Sequence, residues 1–225
     1  MSEFSLPSQS DGIETVLSSI AGVDEVGRGA WFGPVVAAAV LLSADVALEL
    51  AGLGVTDSKK LSPKRRQFLA GEIRKYAIDC QIGMATVAEI DRLNILQASL
   101  LAMRRAVLQL NPIPECCLID GNQRIPDLEI AQQTIVGGDG LSIAIAAASI
   151  VAKVWRDELI VTLAAEYPHY DLAKNKGYGT AKHRQALQEY GITPWHRRSF
   201  RPVRLFDRTP QEYQLTIDRE SSASG

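Results

Sequence analysis

Gly22-Val23-Asp24-Glu25-Val26-Gly27-Arg28-Gly29-Ala30-Trp31-Phe32-Gly33-Pro34, running on into Val35-Val36-Ala37-Ala38-Ala39-Val40-Leu41-Leu42, sets the fold class of this 225-residue chain. Residues 20 to 26 read as a strand and residues 35 to 42 as a second, an unbroken apolar run suited to a sheet covered on both faces. The glycine-rich stretch between them predicts a hairpin connection. Asp24 and Glu25 stand together near the end of the first strand, beside a glycine-flanked arginine. In a half-buried setting such neighbours repel, so one must protonate, face water or share a divalent cation. Gly27 and Gly29 remove side chains where a substrate backbone would lie against the protein backbone, leaving Arg28 as the only long polar side chain of the triplet.

Outward from this pair, Ser62-Pro63 supplies an N-cap and a first-turn proline for an amphipathic helix through about Tyr76, and Ile78 to Val87 reads as a third strand. Glu89 to Leu110 predicts one helix, with Leu93, Leu96, Leu100, Met103, Val107 and Leu110 spaced by three and four, ended by Asn111-Pro112. Cys116 to Asp120 is a short strand closed by an acid and followed by Gly121-Asn122, and Ile130 to Val136 is another strand. Gly137-Gly138-Asp139-Gly140 is a loop. Ile143 to about Glu166 is a long alanine-rich helix that buries Ile143, Ala147, Ile150, Val151 and Val154. Strands alternating with helices make this an α/β protein. Beyond Tyr167 the chain changes character, with a helix from about Ala181 to Tyr190 and a basic stretch to Phe206. The expected organisation is an N-terminal extension over 1–19, a core over 20–166, a small C-terminal subdomain over 167–207 and a disordered polar tail over 208–225.

An apolar content of 46% in a chain of this length supports one sizeable core. No run approaches the roughly 18 to 20 apolar residues of a membrane span, and residues 1 to 12 lack the charged start and apolar run of a signal peptide. A cytoplasmic address with no membrane partner is expected. Cys80, Cys116 and Cys117 neither pair evenly nor show metal-ligand spacing, which predicts reduced thiols and no zinc. The formal net charge of −2 conceals two positive patches. Lys174, Lys176, Lys182, Arg184, Arg197, Arg198, Arg201 and Arg204 are opposed by Glu189 alone, and Lys59, Lys60, Lys64, Arg65 and Arg66 by Asp57. Such patches fit solvated helix faces as well as they fit a polyanion.

Asp24, Glu25, Asp120 and Asp139 stand where strands end or loops begin, the positions at which functional groups gather in α/β sheets. Neighbouring strands would bring Asp24 and Asp120 within reach of one cation, with Asp139 joining from the mouth of the next helix. Glu25 points to the opposite face from Asp24, so it reaches the same ion only if the strand twists or has ended. Oxygen ligands without His or Cys suit Mg²⁺ or Mn²⁺, and the matching chemistry is in-line phosphoryl displacement. Any one of these acids taken alone reads as an ordinary turn or capping residue. Other motifs fail. Gly27, Gly29 and Gly33 are spaced one residue too widely for a dinucleotide fingerprint and precede a strand, and there is no phosphate-loop lysine motif. His169, His183 and His196 lie far apart without a nucleophile, which argues against a triad.

From about Ala21 to Phe206 these residues resemble the bacterial ribonuclease HII family, the type 2 RNases H. The resemblance is carried by GVDEVGRG at 22–29 with FGPVVAAAV after it, TDSKKLS at 56–62, IDGN at 119–122, ASIVAKVWRD at 148–157, KGYGT at 176–180 and HRRSFRPV at 196–203. It implies an RNase H-like mixed sheet flanked by helices, with a small helical C-terminal subdomain. It further implies metal-dependent hydrolysis of the RNA strand of RNA/DNA hybrids and cleavage 5′ of a ribonucleotide embedded in duplex DNA, leaving 3′-hydroxyl and 5′-phosphate ends. On this resemblance Asp24, Glu25 and Asp120 are Mg²⁺ or Mn²⁺ ligands and Asp139 the fourth acid. Gly27, Arg28 and Gly29 read the 2′-hydroxyl, chiefly through backbone groups, and Tyr178 packs on the same nucleotide. Lys59, Ser149 and Lys153 take phosphate-contacting positions, and the stretch from Lys174 to Arg204 grips the duplex backbone. Arg28 separates the chain from the ribonuclease HIII type, which usually has lysine there, and Gly137-Gly138 stands where many relatives carry lysine. Another RNase H-fold nuclease, of the ribonuclease HIII or junction-resolvase kind, and a non-catalytic nucleic-acid-binding module remain as alternatives. A monomer is expected, as is a sliding-clamp contact through the tail around Gln211 to Ile217.

Overall fold

The computed structural model describes residues 19–207, so the expectations for the tail and for the clamp contact around Gln211 to Ile217 lie outside the described residues. Five strands form one mixed sheet: β1 Ile20–Val26, β2 Val35–Leu42, β3 Asp79–Ala85, β4 Cys116–Asp120 and β5 Ala131–Ile135. Their order across the sheet is β3-β2-β1-β4-β5. β1 and β2 form the expected antiparallel hairpin and β3 adds antiparallel to β2, whereas β4 and β5 run parallel to β1. The helices are α1 Ala44–Gly52, α2 Pro63–Tyr76, α3 Val87–Leu93, α4 Ile95–Val107, α5 Ile143–Ala164, α6 Leu172–Asn175, α7 Ala181–Tyr190 and α8 Arg201–Arg204.

The apolar run of β2 is buried at every residue because each face of the sheet meets a helix. Ala37, Ala39 and Leu41 pack with Ala21 and Val23 against Ala98, Ala102 and Ala106 of α4. Ala38, Val40 and Leu42 on the other face pack with Ala147, Ile150 and Val151 of α5 and with Leu69 and Ile73 of α2. Small residues let the layers close. A Cβ on Gly22 would run into the Ala144 backbone of α5, so the helix lies directly on β1 at this point. A third apolar cluster joins Trp31 and Phe32 of the β1–β2 connection to Ile160 and Leu163 of α5 and to Tyr170, Leu187 and Val203 of the later segment.

Several boundaries differ from the sequence reading. The expected third strand stops at Ala85, because Thr86 and Glu89 form a capping box (Glu89 N to Thr86 Oγ1 3.3 Å, Thr86 N to Glu89 Oε2 2.8 Å) and Val87 begins α3. The single helix expected from Glu89 to Leu110 is two helices, α3 and α4. Asn94 divides them with a φ of 74°, and its Oδ1 accepts from the amides of Leu96 at 3.0 Å and Gln97 at 3.2 Å. α1, capped by Ser43, was not anticipated. The expected loop at Gly137 to Gly140 contains a 3₁₀ turn over Gly138–Gly140, and α5 ends at Ala164.

Candidate active site

The parallel register of β1 and β4 pairs Val23 with Ile119, so Asp24 and Asp120 are the next residues at adjoining strand ends. Neighbouring strands lie about 4.8 Å apart, which puts the two carboxylates on one short edge. Pairing between β1 and β4 stops at that point and leaves this side of β1 open. Glu25 therefore reaches the same space although it leaves the strand on the opposite face from Asp24. A cleft of about 460 Å³ opens here, lined by all three of these acids and by Gly27, Arg28 and Gly29. Lys59, Ser149, Lys153 and Tyr178 also line it. Asp139 stands at the rim: its Oδ2 lies 3.3 Å from the Lys59 ammonium, and the amide of its neighbour Gly138 donates to Asp120 Oδ1 at 2.7 Å.

Electrostatics mark Asp24 as the stressed group. It is 5% exposed. Burial first, then the Glu25 carboxylate, push its carboxyl well above the usual carboxylate range, with Asp120 adding to the rise. The Ser149 hydroxyl and the Glu25 amide, the latter donating to Asp24 Oδ1 at 2.7 Å, oppose that rise. Glu25 is also raised, by burial first, against the pull of Arg28, whose Nη1 lies 3.1 Å from Glu25 Oε1. Around them Lys153 is held by Asp157 at 2.8 Å, 5.7 Å from the Tyr178 ring, and the hydroxyls of Ser149 and Ser58 meet at 2.9 Å.

The family model for ribonuclease HII matches residues 21–203, spanning the sheet, the cleft and the segment that follows. The chain belongs to the ribonuclease HII family. A ribonuclease HII of Trichodesmium erythraeum is 66% identical over 192 residues, covering 85% of this chain and 90% of that protein. Among solved structures, ribonuclease H2 from Pyrococcus horikoshii superposes with a TM-score of 0.74 at 27% identity, covering 84% of this chain and 97% of that one. The ribonuclease HII of Archaeoglobus fulgidus, solved in complex with PCNA, superposes with a TM-score of 0.68 at 30% identity over 79% of this chain and 93% of its own. Membership makes the chain a ribonuclease H endonuclease.

Members of the ribonuclease HII family depend on a divalent metal. Among the described residues no three His, Cys, Asp or Glu side chains already form a closed cation cage. The donor set nevertheless fits a hard cation. It offers carboxylate oxygens only, and the burial and carboxylate repulsion that together raise Asp24 are the penalties a cation would offset. Glu25, Asp120 and Asp139 are satisfied meanwhile by Arg28, by the Gly138 amide and by Lys59.

The basic stretch needs one correction. Lys174, Lys182, Arg184, Arg198, Arg201 and Arg204 are exposed, but Arg197 is fully buried and unavailable to a duplex. It donates to the carbonyls of Gly33 and Arg28, an inward role that contact with the β1–β2 connection imposes. Sequence reasoning also passed over Ser58 and Arg66, which line the cleft. Ser58 lies within the TDSKKLS motif, and Arg66 follows four residues after its end, within the positive patch that holds Lys59. Arg156 is buried as well, and here a signal existed. It falls four residues after Ala152 and four before Ile160, on the buried stripe of α5. His183 and His196, dismissed as a triad, are joined instead through their Nε2 atoms at 3.0 Å in the core of the later segment.

Proposed function

We propose that the cleft cuts a phosphodiester immediately 5′ of a ribonucleotide, in RNA/DNA hybrids and at single ribonucleotides embedded in duplex DNA, leaving 3′-hydroxyl and 5′-phosphate ends. The carrying observation is that Asp24, Glu25 and Asp120 open onto the same space as Gly27-Arg28-Gly29 and Tyr178. Groups suited to phosphoryl chemistry thus adjoin groups suited to testing a sugar.

Asp24, Glu25 and Asp120 would hold Mg²⁺ or Mn²⁺, with Asp139 joining from the rim. Bound there, the cation supplies Lewis acidity for the attacking water and for the leaving oxygen. The water oxygen adds to phosphorus, the P–O3′ bond breaks, and the departing O3′ takes a proton while the phosphate stays on the ribonucleotide. Backbone groups of Gly27, Arg28 and Gly29 meet the 2′-hydroxyl, the one feature that separates RNA from DNA at a single position. The Tyr178 ring packs on that nucleotide. Lys59, Lys153 and the Ser149 hydroxyl face the phosphates, and the exposed cations of segment 167–207 grip the duplex without reading its sequence. We read the protein as a cytoplasmic monomer whose segment from Gln211 to Ile217 engages a sliding clamp. Deleting residues from Arg208 onward then leaves duplex cleavage intact while clamp binding is lost.

The test is cleavage mapping on a DNA duplex carrying one ribonucleotide, with Mg²⁺ and Mn²⁺ compared. Asp120→Asn should lower turnover by about a hundredfold or more while duplex binding survives. An unchanged rate would remove the acid site from the reaction, and a duplex bound but never cut would leave only a binding role.

A further inference from the structure

Arg156 and Arg197 are both fully buried, yet among the described residues neither forms an ion pair with a carboxylate. Buried charges are normally paired, so two guanidiniums in one region with no carboxylate at ion-pair distance among the described residues call for a cause. Their partners are main-chain carbonyls. Arg156 donates from Nε to Pro34 at 3.1 Å, from Nη2 to Phe32 at 3.0 Å and from Nη1 to Lys176 at 2.9 Å. Arg197 donates from Nε to Gly33 at 3.0 Å and from Nη1 to Arg28 at 2.9 Å, and its buried Nη2 has no hydrogen-bond partner among the described residues. Burial first, then the neighbouring Arg156 charge, pull the Arg197 guanidinium down to about 9, so it stays charged at neutral pH.

These carbonyls belong to the two segments that flank the sugar-testing part of the cleft, the turn after β1 and the GYGT loop. The Arg156 guanidinium lies 5.7 Å from the Tyr178 ring. Gly27 has a φ of 91°, and a Cβ there would run into Arg156 Nε. The loops also touch directly, with the amide of Trp31 donating to the Gly177 carbonyl at 2.8 Å. A guanidinium presents its donors in a rigid planar fork, so each arginine fixes the spacing of several carbonyls at once.

We propose that Arg156 and Arg197 are positioning residues for sugar selection, holding the Gly27-Arg28-Gly29 turn against Tyr178 at the separation that admits and rewards a 2′-hydroxyl. This rests on the reading of that turn given above. Discrimination by hydrogen bonding requires donors and acceptors set within a fraction of an ångström, and here the setting comes from beneath the cleft. Lysine keeps the charge but replaces the fork with one rotatable ammonium, and so frees carbonyls to drift.

The experiment measures equilibrium binding to two duplexes of one sequence, all-DNA and singly ribonucleotide-substituted, in an Asp120→Asn background that leaves both uncut. Adding Arg197→Lys, or separately Arg156→Lys, should lower the preference for the ribonucleotide duplex by fivefold or more, with all-DNA affinity unchanged within twofold. Retained preference, or equal weakening on both duplexes as from a merely structural defect, overturns the proposal. If Asp120→Asn alone shows no preference, the reading of the turn itself fails, an outcome distinct from failure of the arginines. Should Arg156→Lys not fold, Arg197→Lys decides the test, because it frees the Arg28 carbonyl within the turn itself.

Discussion

Replacing His196 by glutamine should flatten the acid side of the stability curve, by an amount the structure allows to be worked out. The Thr193 amide donates to His196 Nδ1 at 2.9 Å, so that atom carries no proton and Nε2 does. His196 Nε2 then donates across 3.0 Å to His183 Nε2, and His183 Nδ1 donates to the Tyr178 carbonyl at 3.0 Å. Both rings are neutral, and an extra proton on either one faces an existing N–H. The rings packed on them are Trp31, Phe32 and Tyr170, which give no negative charge to stabilise an imidazolium. Burial first, then the neighbouring His183 ring, push His196 from its ordinary 6.5 down to about 3. Between those values the unfolded chain binds a proton that the folded chain refuses. The stability is therefore fully present above pH 6.5 and is lost as pH falls toward 3, at up to about 1.4 kcal/mol per pH unit. From pH 7 to pH 5 the loss from His196 is about 2 kcal/mol, and His183, also lowered by burial, adds in the same direction. Asp24 and Glu25, raised in the fold, act with the opposite sign, but they are common to both proteins and drop out of the comparison. Urea unfolding at pH 5, 6, 7 and 8 measures the gap between the parent chain and His196→Gln. That gap should shrink by about 2 kcal/mol from pH 7 to pH 5, and a gap independent of pH would refute the neutral-pair assignment.

Three further outcomes are expected. Asn94→Ala loses a helix cap and forces alanine into a φ of 74°, which should lower stability by about 2 to 3 kcal/mol in urea, with Asn94→Gly recovering part of it. Asp24→Asn removes a buried carboxyl crowded by Glu25 and Asp120, so the thermal midpoint in chelator should rise. The further rise that Mg²⁺ or Mn²⁺ gives the parent chain should vanish in that variant, and an undiminished rise would place the cation elsewhere. Glu89 is held down to about 2, chiefly by its hydrogen bonds from Arg105, so its contribution is present above pH 4.5 and disappears as pH falls through about 2. Because the Arg105 side chain is 43% exposed, screening limits the loss in Glu89→Gln at pH 7 to about 1 kcal/mol, readable by urea titration.

The strands were legible because their signals are local. An unbroken apolar run at Val35 to Leu42 and an acid closing Cys116 to Asp120 leave little freedom once helices alternate with them. The shared cleft of Asp24, Glu25 and Asp120 followed from strand ends, and the obstacle at Glu25 dissolved because β1 outruns its partner β4. Asn94 was missed because the apolar spacing of three and four continues across the break, and only the φ of one residue interrupts the helix. Arg197 was misplaced for a different reason. Its neighbours in sequence are basic and exposed, while its burial depends on Trp31 and Gly33, brought to it by the fold.

The turn after β1 is fastened by chain that comes very late. The Gly33 amide donates to Trp195 and the Trp31 amide to Gly177, and Phe32 forms a bridge with His196. All five strands of the sheet and all four acids precede those fasteners in the sequence. During synthesis, which delivers the N-terminal part first, the sheet and its carboxylates are available before residues 177 and 195 have emerged. A nascent chain at that stage carries the four acids without the ties that hold the turn after β1, so the cleft wall opposite those acids is set only when the last third of the chain arrives.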